Sequence, residues 1–165
     1  MRRSLLLIGV VLLLTTCALA KDEPKFKTIE VRHFPNSEGV ELPPEFSDYL
    51  YAEMQSTLQK KKLADHLVGE DEVVDAADAP KSAILSGTVL EYKKGSVVKE
   101  HLTPYGGIFG AGFRKLVVHV KLVRRSDNQV LIEKDMKVKA QPEWDPKVLA
   151  RFLANSIAGE LKHAE

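Results

Sequence analysis

The sequence predicts an α+β domain: one mainly antiparallel sheet of four to five strands, with two amphipathic helices packed on one face. Three observations carry that expectation. Apolar residues recur every four positions in two stretches, Phe46, Leu50, Met54, Leu58 and Leu149, Leu153, Ile157, Leu161, which makes a stripe on each of two helices. Period-two alternation marks Lys25–Phe34, Ala83–Tyr92 and the run Leu116, Val118, Val120, Leu122. Short turns join the strands that follow the first helix, so neighbours should pair antiparallel, and two helices suffice to cover one face of such a sheet.

In chain order, Lys21–Lys25 is charged and belongs to no element. The first strand places Ile29, Val31 and His33 on one face and Phe26, Thr28, Glu30, Arg32 and Phe34 on the other. Pro35-Asn36-Ser37-Glu38-Gly39 ends it in a turn. Pro43-Pro44 precedes a helix of about 20 residues, and Lys60-Lys61-Lys62 closes it with positive charge at the favourable end. Glu70–Pro80 is acidic and alanine-rich and reads as a loop or irregular helix. The strand Ala83–Tyr92 sets Ile84, Ser86, Thr88, Leu90 and Tyr92 on one side. Lys93-Lys94-Gly95 turns the chain, and a shorter strand is expected from Ser96 to about Leu102. Ser126-Asp127-Asn128 then divides the strongest hairpin, whose return strand carries Val130, Ile132, Met136 and Val138. Asp145 is a good helix cap and Pro146 a good first helical residue.

Ahead of this domain, residues 1–20 read as an export signal, with Arg2 and Arg3, an apolar core from Leu5 to Leu14, and the small-x-small site Ala18-Leu19-Ala20. The apolar run is short for a membrane span, and no second segment could cross a bilayer. The expected organisation is a signal peptide over 1–20 and a single domain over 25–163, in the periplasm or secreted. The lone cysteine, Cys17, lies inside the leader, so cleavage after Ala20 removes all thiol chemistry. Leu14-Thr15-Thr16-Cys17 also resembles a lipoprotein signal, and lipidation of Cys17 is the alternative that would anchor the protein to a membrane. Losing Arg2 and Arg3 turns the formal charge of +1 into −1, which offers no electrostatic case for nucleic acid.

No catalytic signature emerges. The five histidines, His33, His66, His101, His119 and His163, form no HExxH pattern, although His33 and His119 could face each other across the sheet. Ser86-Gly87 and Ser96 lack the GxSxG context of a nucleophile. Glu70, Asp71, Glu72, Asp75 and Asp78 lack the spacing of a calcium loop. Glu91, Glu100 and Asp135 are single acids with no partner evident in sequence. The expectation is a protein that is not an enzyme, with no catalytic residue, cofactor or metal.

The most distinctive cluster is Tyr105, Gly106, Gly107, Ile108, Phe109, Gly110, Gly112 and Phe113. It is either a flexible aromatic loop that meets a partner or a bent strand connection whose aromatics enter the core. Its spacing matches neither a phosphate loop nor a dinucleotide fingerprint. Trp144, between Pro142 and Pro146, is expected to anchor the last helix on the sheet, with a place in an interface as the alternative.

Over Gly106–Ala140 the chain resembles a bacterial family of small exported proteins and lipoproteins, the domain of unknown function 4410. The resemblance rests on Ile108-Phe109-Gly110-Ala111-Gly112, the alternating strand Leu116–Val123, and Val130-Leu131-Ile132-Glu133, while Ser126-Asp127-Asn128-Gln129 departs from the family's usual turn. The element order is also similar to small domains of periplasmic accessory proteins, including the amino-terminal domain of the Tol translocation protein. This second likeness implies an adaptor. Export and a compact fold without a catalytic signature lead to the expectation of a non-enzymatic envelope or secreted protein that binds another protein through a sheet edge or the Tyr105–Phe113 loop. A cavity between sheet and helices that takes a small molecule or lipid is the alternative, and an envelope hydrolase stands third.

Overall fold

The computed structural model describes residues 25–70, 72–96 and 112–164. The elements are β1 (Phe26–Val31), α1 (Phe46–Lys60), β2 (Ala64–Val68), a 3-10 turn (Ala76–Lys81), β3 (Ser82–Lys93), β4 (Arg114–Arg124), β5 (Val130–Ala140) and α2 (Lys147–Leu161). They build one five-stranded sheet in the order β2-β1-β3-β4-β5. The expected architecture is present: a sheet of about five strands with two helices packed alongside it.

One half of the sheet is the expected antiparallel run, β3 against β4 and β4 against β5. The other half is parallel: β1 lies between β2 and β3 and runs parallel to both. The chain reaches β2 from β1 through α1, so β1-α1-β2 is a crossover unit of the kind parallel neighbours need. β2 was not anticipated from the sequence. It has five residues, two of them Asp65 and His66, both exposed, and its alternation is too weak to be seen without the partner strand.

The stripes of both helices are buried. Leu149, Leu153, Ile157 and Leu161 of α2 are all inaccessible to solvent, and Phe46, Leu50, Met54 and Leu58 of α1 nearly so. They pack against Ile29 and Val31 of β1, Leu85 and Val89 of β3, the alternate residues Leu116–Leu122 of β4, and Met136 and Val138 of β5, in one continuous core. Burying a Leu-sized side chain contributes about 1.5–3 kcal/mol, so this layer supplies the main driving force of the fold.

The helix ends obey local chemistry. Asp145 Oδ1 accepts from the Lys147 backbone N–H at 2.8 Å, the cap expected before Pro146. At the other end of α1, Leu63 N–H bonds Leu58 O at 3.3 Å and Lys62 N–H bonds Gln59 O at 3.1 Å, with Lys62 at φ 51°. This is a Schellman closure with lysine in the left-handed position that usually takes glycine, and the buried Leu63 meets the Leu58 turn as that motif requires.

Two interruptions re-aim side chains. β1 stops at Val31, so the expected alternation through Phe34 does not hold. The strand leaves the ladder at Arg32 and rejoins β3 at the Asn36–Val89 bridge. In the gap Phe34 folds inward over Gly87, where an added Cβ would sit 2.8 Å from the ring and 2.7 Å from the His119 carbonyl oxygen. Glycine is required there because nothing larger fits between strand and ring. In β3 the register with β4 shifts between Val89 and Glu91. This bulge exposes Leu90 and turns Tyr92 to the helix side, 6.1 Å from Phe46, instead of keeping it with Ile84, Ser86 and Thr88.

Trp144 does not anchor α2 on the sheet. It is 42% exposed and meets Phe152 of α2 edge-on at 6.4 Å. The strand expected at Ser96–Leu102 lies, beyond Ser96, outside the described residues, as does the leader with Cys17.

Candidate functional site

The face of the sheet opposite the helices is where chemistry collects. Register sets its contents: Ser86, Lys121 and Glu133 lie in one row across β3, β4 and β5, and Thr88, His119 and Asp135 in the next. Alternation sends these residues outward because their neighbours Leu85, Val120 and Met136 face the core.

His119 is the centre of the network. Its Nδ1 lies 2.8 Å from Asp135 Oδ1 and its Nε2 3.5 Å from Glu133 Oε1, which also receives Lys121 at 3.4 Å. The hydrogen bond to Asp135 raises the His119 pKa above its ordinary value, partly opposed by burial and helped by Glu133. A shallow open groove of about 350 Å³ runs beside it, lined by Arg32, His33, Glu70, Ser86, Thr88, His119 and Lys121 among others. The expected approach of His33 and His119 is thus realised as a shared groove. Each ring keeps its own carboxylate, since Glu70 takes the His33 backbone N–H at 2.9 Å and stands 3.5 Å from its ring, which stacks on Tyr51 at 4.0 Å.

At the Arg125 end of the same face, Glu30 is almost wholly buried between two arginines. Its Oε1 is 2.7 Å from Arg32 Nε, and its Oε2 pairs with Arg125. At the other end stand Glu91, Lys93 and Lys115. Lys115 hydrogen-bonds Glu91, Lys93 lies 3.2 Å from its other oxygen, and these two cations hold the Glu91 carboxyl below its usual pKa.

The remaining sequence candidates have structural roles. Asp75 Oδ1 accepts from Ala77 N–H at the start of the 3-10 turn, and Asp78 pairs with Lys27. Asp127 and Gln129 hold Arg124 at the β4–β5 turn. His66 and His163 are exposed. Among the described residues no group of three or more His, Cys, Asp or Glu is placed to hold a metal ion. The crevice between α1 and the end of β1, lined by Phe34, Leu50 and Met54, has no room for a water molecule. Asp71, Glu100, His101 and residues 105–110 of the glycine-rich cluster lie outside the described residues. Of its last members, Gly112 has φ 93° and its carbonyl accepts from Ser96 N–H at 2.6 Å, while Phe113 is half-buried. No helix of the described residues is long and apolar enough to cross a membrane.

The paired carboxylates and the Glu30–arginine cluster escaped the sequence reading. Glu30–Arg32 and Glu91–Lys93 are near neighbours in the chain, but the pairs with Arg125, Lys115, His119 and His33 join distant residues that only the fold brings together.

No family model matches the chain, and no curated protein sequence does. Solved structures do. The PelC dodecamer protein from Paraburkholderia phytofirmans superposes at TM-score 0.57 with 15% identity, covering 84% of this chain and 88% of its own. The protein XCC0632 from Xanthomonas campestris, of the domain of unknown function 330 family, superposes at 0.56 with 10% identity over 85% and 86%. The chain shares the fold of these bacterial proteins. TolB from Acinetobacter baumannii, 15% identical, aligns at only 0.45 over 88% of this chain and 29% of its own, too loosely to carry the expected analogy with the Tol protein.

Proposed function

We propose that this chain is an exported, non-enzymatic bacterial protein that binds another protein, with the uncovered face and edges of its sheet as the recognition surface. The observation that carries this reading is the network of paired charges on the open face. Among the described residues His119, Glu133, Asp135, Glu91 and Glu30 each have a partner of opposite charge, which makes this face a fixed pattern of charges. A surface of fixed, alternating charges recognises by complementarity. The fold of the PelC and XCC0632 proteins supports a bacterial origin. Kinship with the domain of unknown function 4410, supported by the segment 106–140, belongs to the same proposal.

Under this reading residues 1–20 direct export and are removed after Ala20, the domain over 25–163 acts in the periplasm or outside the cell, and Tyr105–Phe113 contributes to the contact. Lipidation at Cys17 would keep the domain on a membrane instead. Photo-crosslinking in the native host tests the binding role, with the photoreactive residue placed in turn at Thr88, His119 and Lys137. A discrete protein adduct from these positions, absent from a control at Lys162, is expected. Adducts only with lipid or small molecules, or none at any position, would overturn the reading. Because the Paraburkholderia phytofirmans neighbour is a dodecamer, the adduct mass also decides whether the bound protein is another copy of this chain.

A further inference from the structure

Three lysines stand directly opposite one another across three strands: Lys93 of β3, Lys115 of β4 and Lys139 of β5. Like charges at such positions, with Cβ atoms about 5 Å apart, destabilise a sheet. Lys137, two residues earlier on β5, extends the row along the edge. Glu91 faces Lys93 and Lys115, but among the described residues no carboxylate lies within ion-pair distance of Lys137 or Lys139. Edge protection explains lysines on β5, because charge discourages stray strand pairing. It does not explain Lys115 or Lys93, which sit on interior strands. Nor is Lys93 there by simple alternation: the Val89–Glu91 bulge moves Glu91 and Lys93 from the helix side to the open face. The fold thus gathers positive charge beside an edge that no described strand covers.

That edge is the outer side of β5, the last strand in the sheet order, where no described strand pairs. Its side chains alternate over 136–140: Met136, Val138 and Ala140 are turned to the core, Lys137 and Lys139 to the open face. We propose that the edge of β5 over residues 136–140 receives an extended acidic segment of a partner protein as a sixth strand, its carboxylates lying over Lys137 and Lys139. This rests on the protein-binding reading and names its partner chemistry. Main-chain hydrogen bonds to β5 supply affinity, and the lysine row selects acidic side chains at alternate positions. The row also disfavours the simplest self-pairing, since two β5 edges meeting antiparallel would set lysines close to lysines. A lipid surface fits less well. The chain enters the domain at Phe26, beside the start of β3, and the length of that strand puts the lysine row about 35 Å from this entry point, at the far end of the sheet from the amino-terminal side.

The test uses the exported protein as recovered from its host. The probe is a fluorescein-labelled ten-residue peptide alternating Glu and Val, with a Lys/Val peptide and an alternately N-methylated Glu/Val peptide as controls. Binding is followed by anisotropy, and the amides of 136–140 by hydrogen exchange. The Glu/Val peptide should bind and slow exchange at 136–140. K137E/K139E, which changes two exposed residues, should weaken it at least tenfold and let the Lys/Val peptide bind. Three results would overturn the proposal: equal binding of the N-methylated peptide, protection elsewhere than 136–140, or protection there only by phosphatidylglycerol vesicles or by a second copy of the chain. Crosslinks from Thr88 and His119 to a protein partner that persist in K137E/K139E would sink this edge site while leaving the protein-binding reading intact.

Discussion

The two faces of the sheet use the same alternation to opposite ends. On the helix side, alternate residues of β4 from Leu116 to Leu122 are all inaccessible, and Leu153 and Ile157 of α2 are equally buried. On the open side, the residues between them are Val117, His119 and Lys121, and here the stabilising contacts are pairs of charges rather than packed carbon. The apolar side is constrained by volume and shape rather than by named polar partners, because burial is non-directional. The charged side depends on named pairs, because a hydrogen-bonded ion pair is specific in both distance and partner. The helix layer should therefore carry stability and the open face should carry recognition.

The largest effect should come from cutting into the helix side. Leu153→Ala removes a fully buried side chain from the middle of the α2 stripe and should cost about 2–5 kcal/mol in urea unfolding, with an unchanged slope. A loss below about 1 kcal/mol would mean that the two faces share the work more evenly than burial indicates.

Glu30→Ala makes the corresponding cut on the open side. It leaves Arg125 and Arg32 without their shared carboxylate at a nearly buried position. A fully buried pair broken in this way costs about 3–5 kcal/mol. The arginine side chains here are 30% and 46% exposed, so solvent screens them and about 1–2 kcal/mol is expected. Replacing Arg125 by Met in the same background should then recover part of the loss, by removing the unpaired cation.

The smallest effect is a pH dependence confined to the open face. The folded-state pKa of His119 is raised, so its protonated form favours the fold. That contribution is complete below the unfolded value of 6.5 and disappears as pH rises through the higher folded value. Urea midpoints measured at pH 5.5 and 8.5 should fall with pH by slightly more in the parent than in His119→Gln. The difference should be modest, because the side chain is 37% exposed. An opposite sign would show that the neutral ring is the one the fold prefers.

Legibility in the sequence followed the same division. Both helical stripes, the Asp145 cap and the β4–β5 hairpin could be read directly, since each depends on residues within a few positions of one another. The face assignment of Ile84, Ser86 and Thr88 could be read too, but that of Tyr92 could not, because nothing in Val89-Leu90-Glu91 announces a bulge. Phe34 was misplaced for a related reason: its inward turn is allowed by Gly87, more than fifty residues later. Of the candidate site, the sequence suggested that His33 and His119 could face each other across the sheet, and both line the same groove. Their carboxylate partners and the Glu30–Arg125 pair were not legible, because each pairing joins residues distant in the chain.

What this sequence determined by itself is the set of local elements and the fold class they permit, since periodicity and capping act over one or two turns of chain. Tertiary structure alone decided that β1 pairs parallel with both of its neighbours, that the short β2 forms at all, and that Lys93, Lys115 and Lys139 share one row. Those outcomes depend on strand register and crossover, which arise only when distant segments bury a common core and their backbone groups must find partners across it.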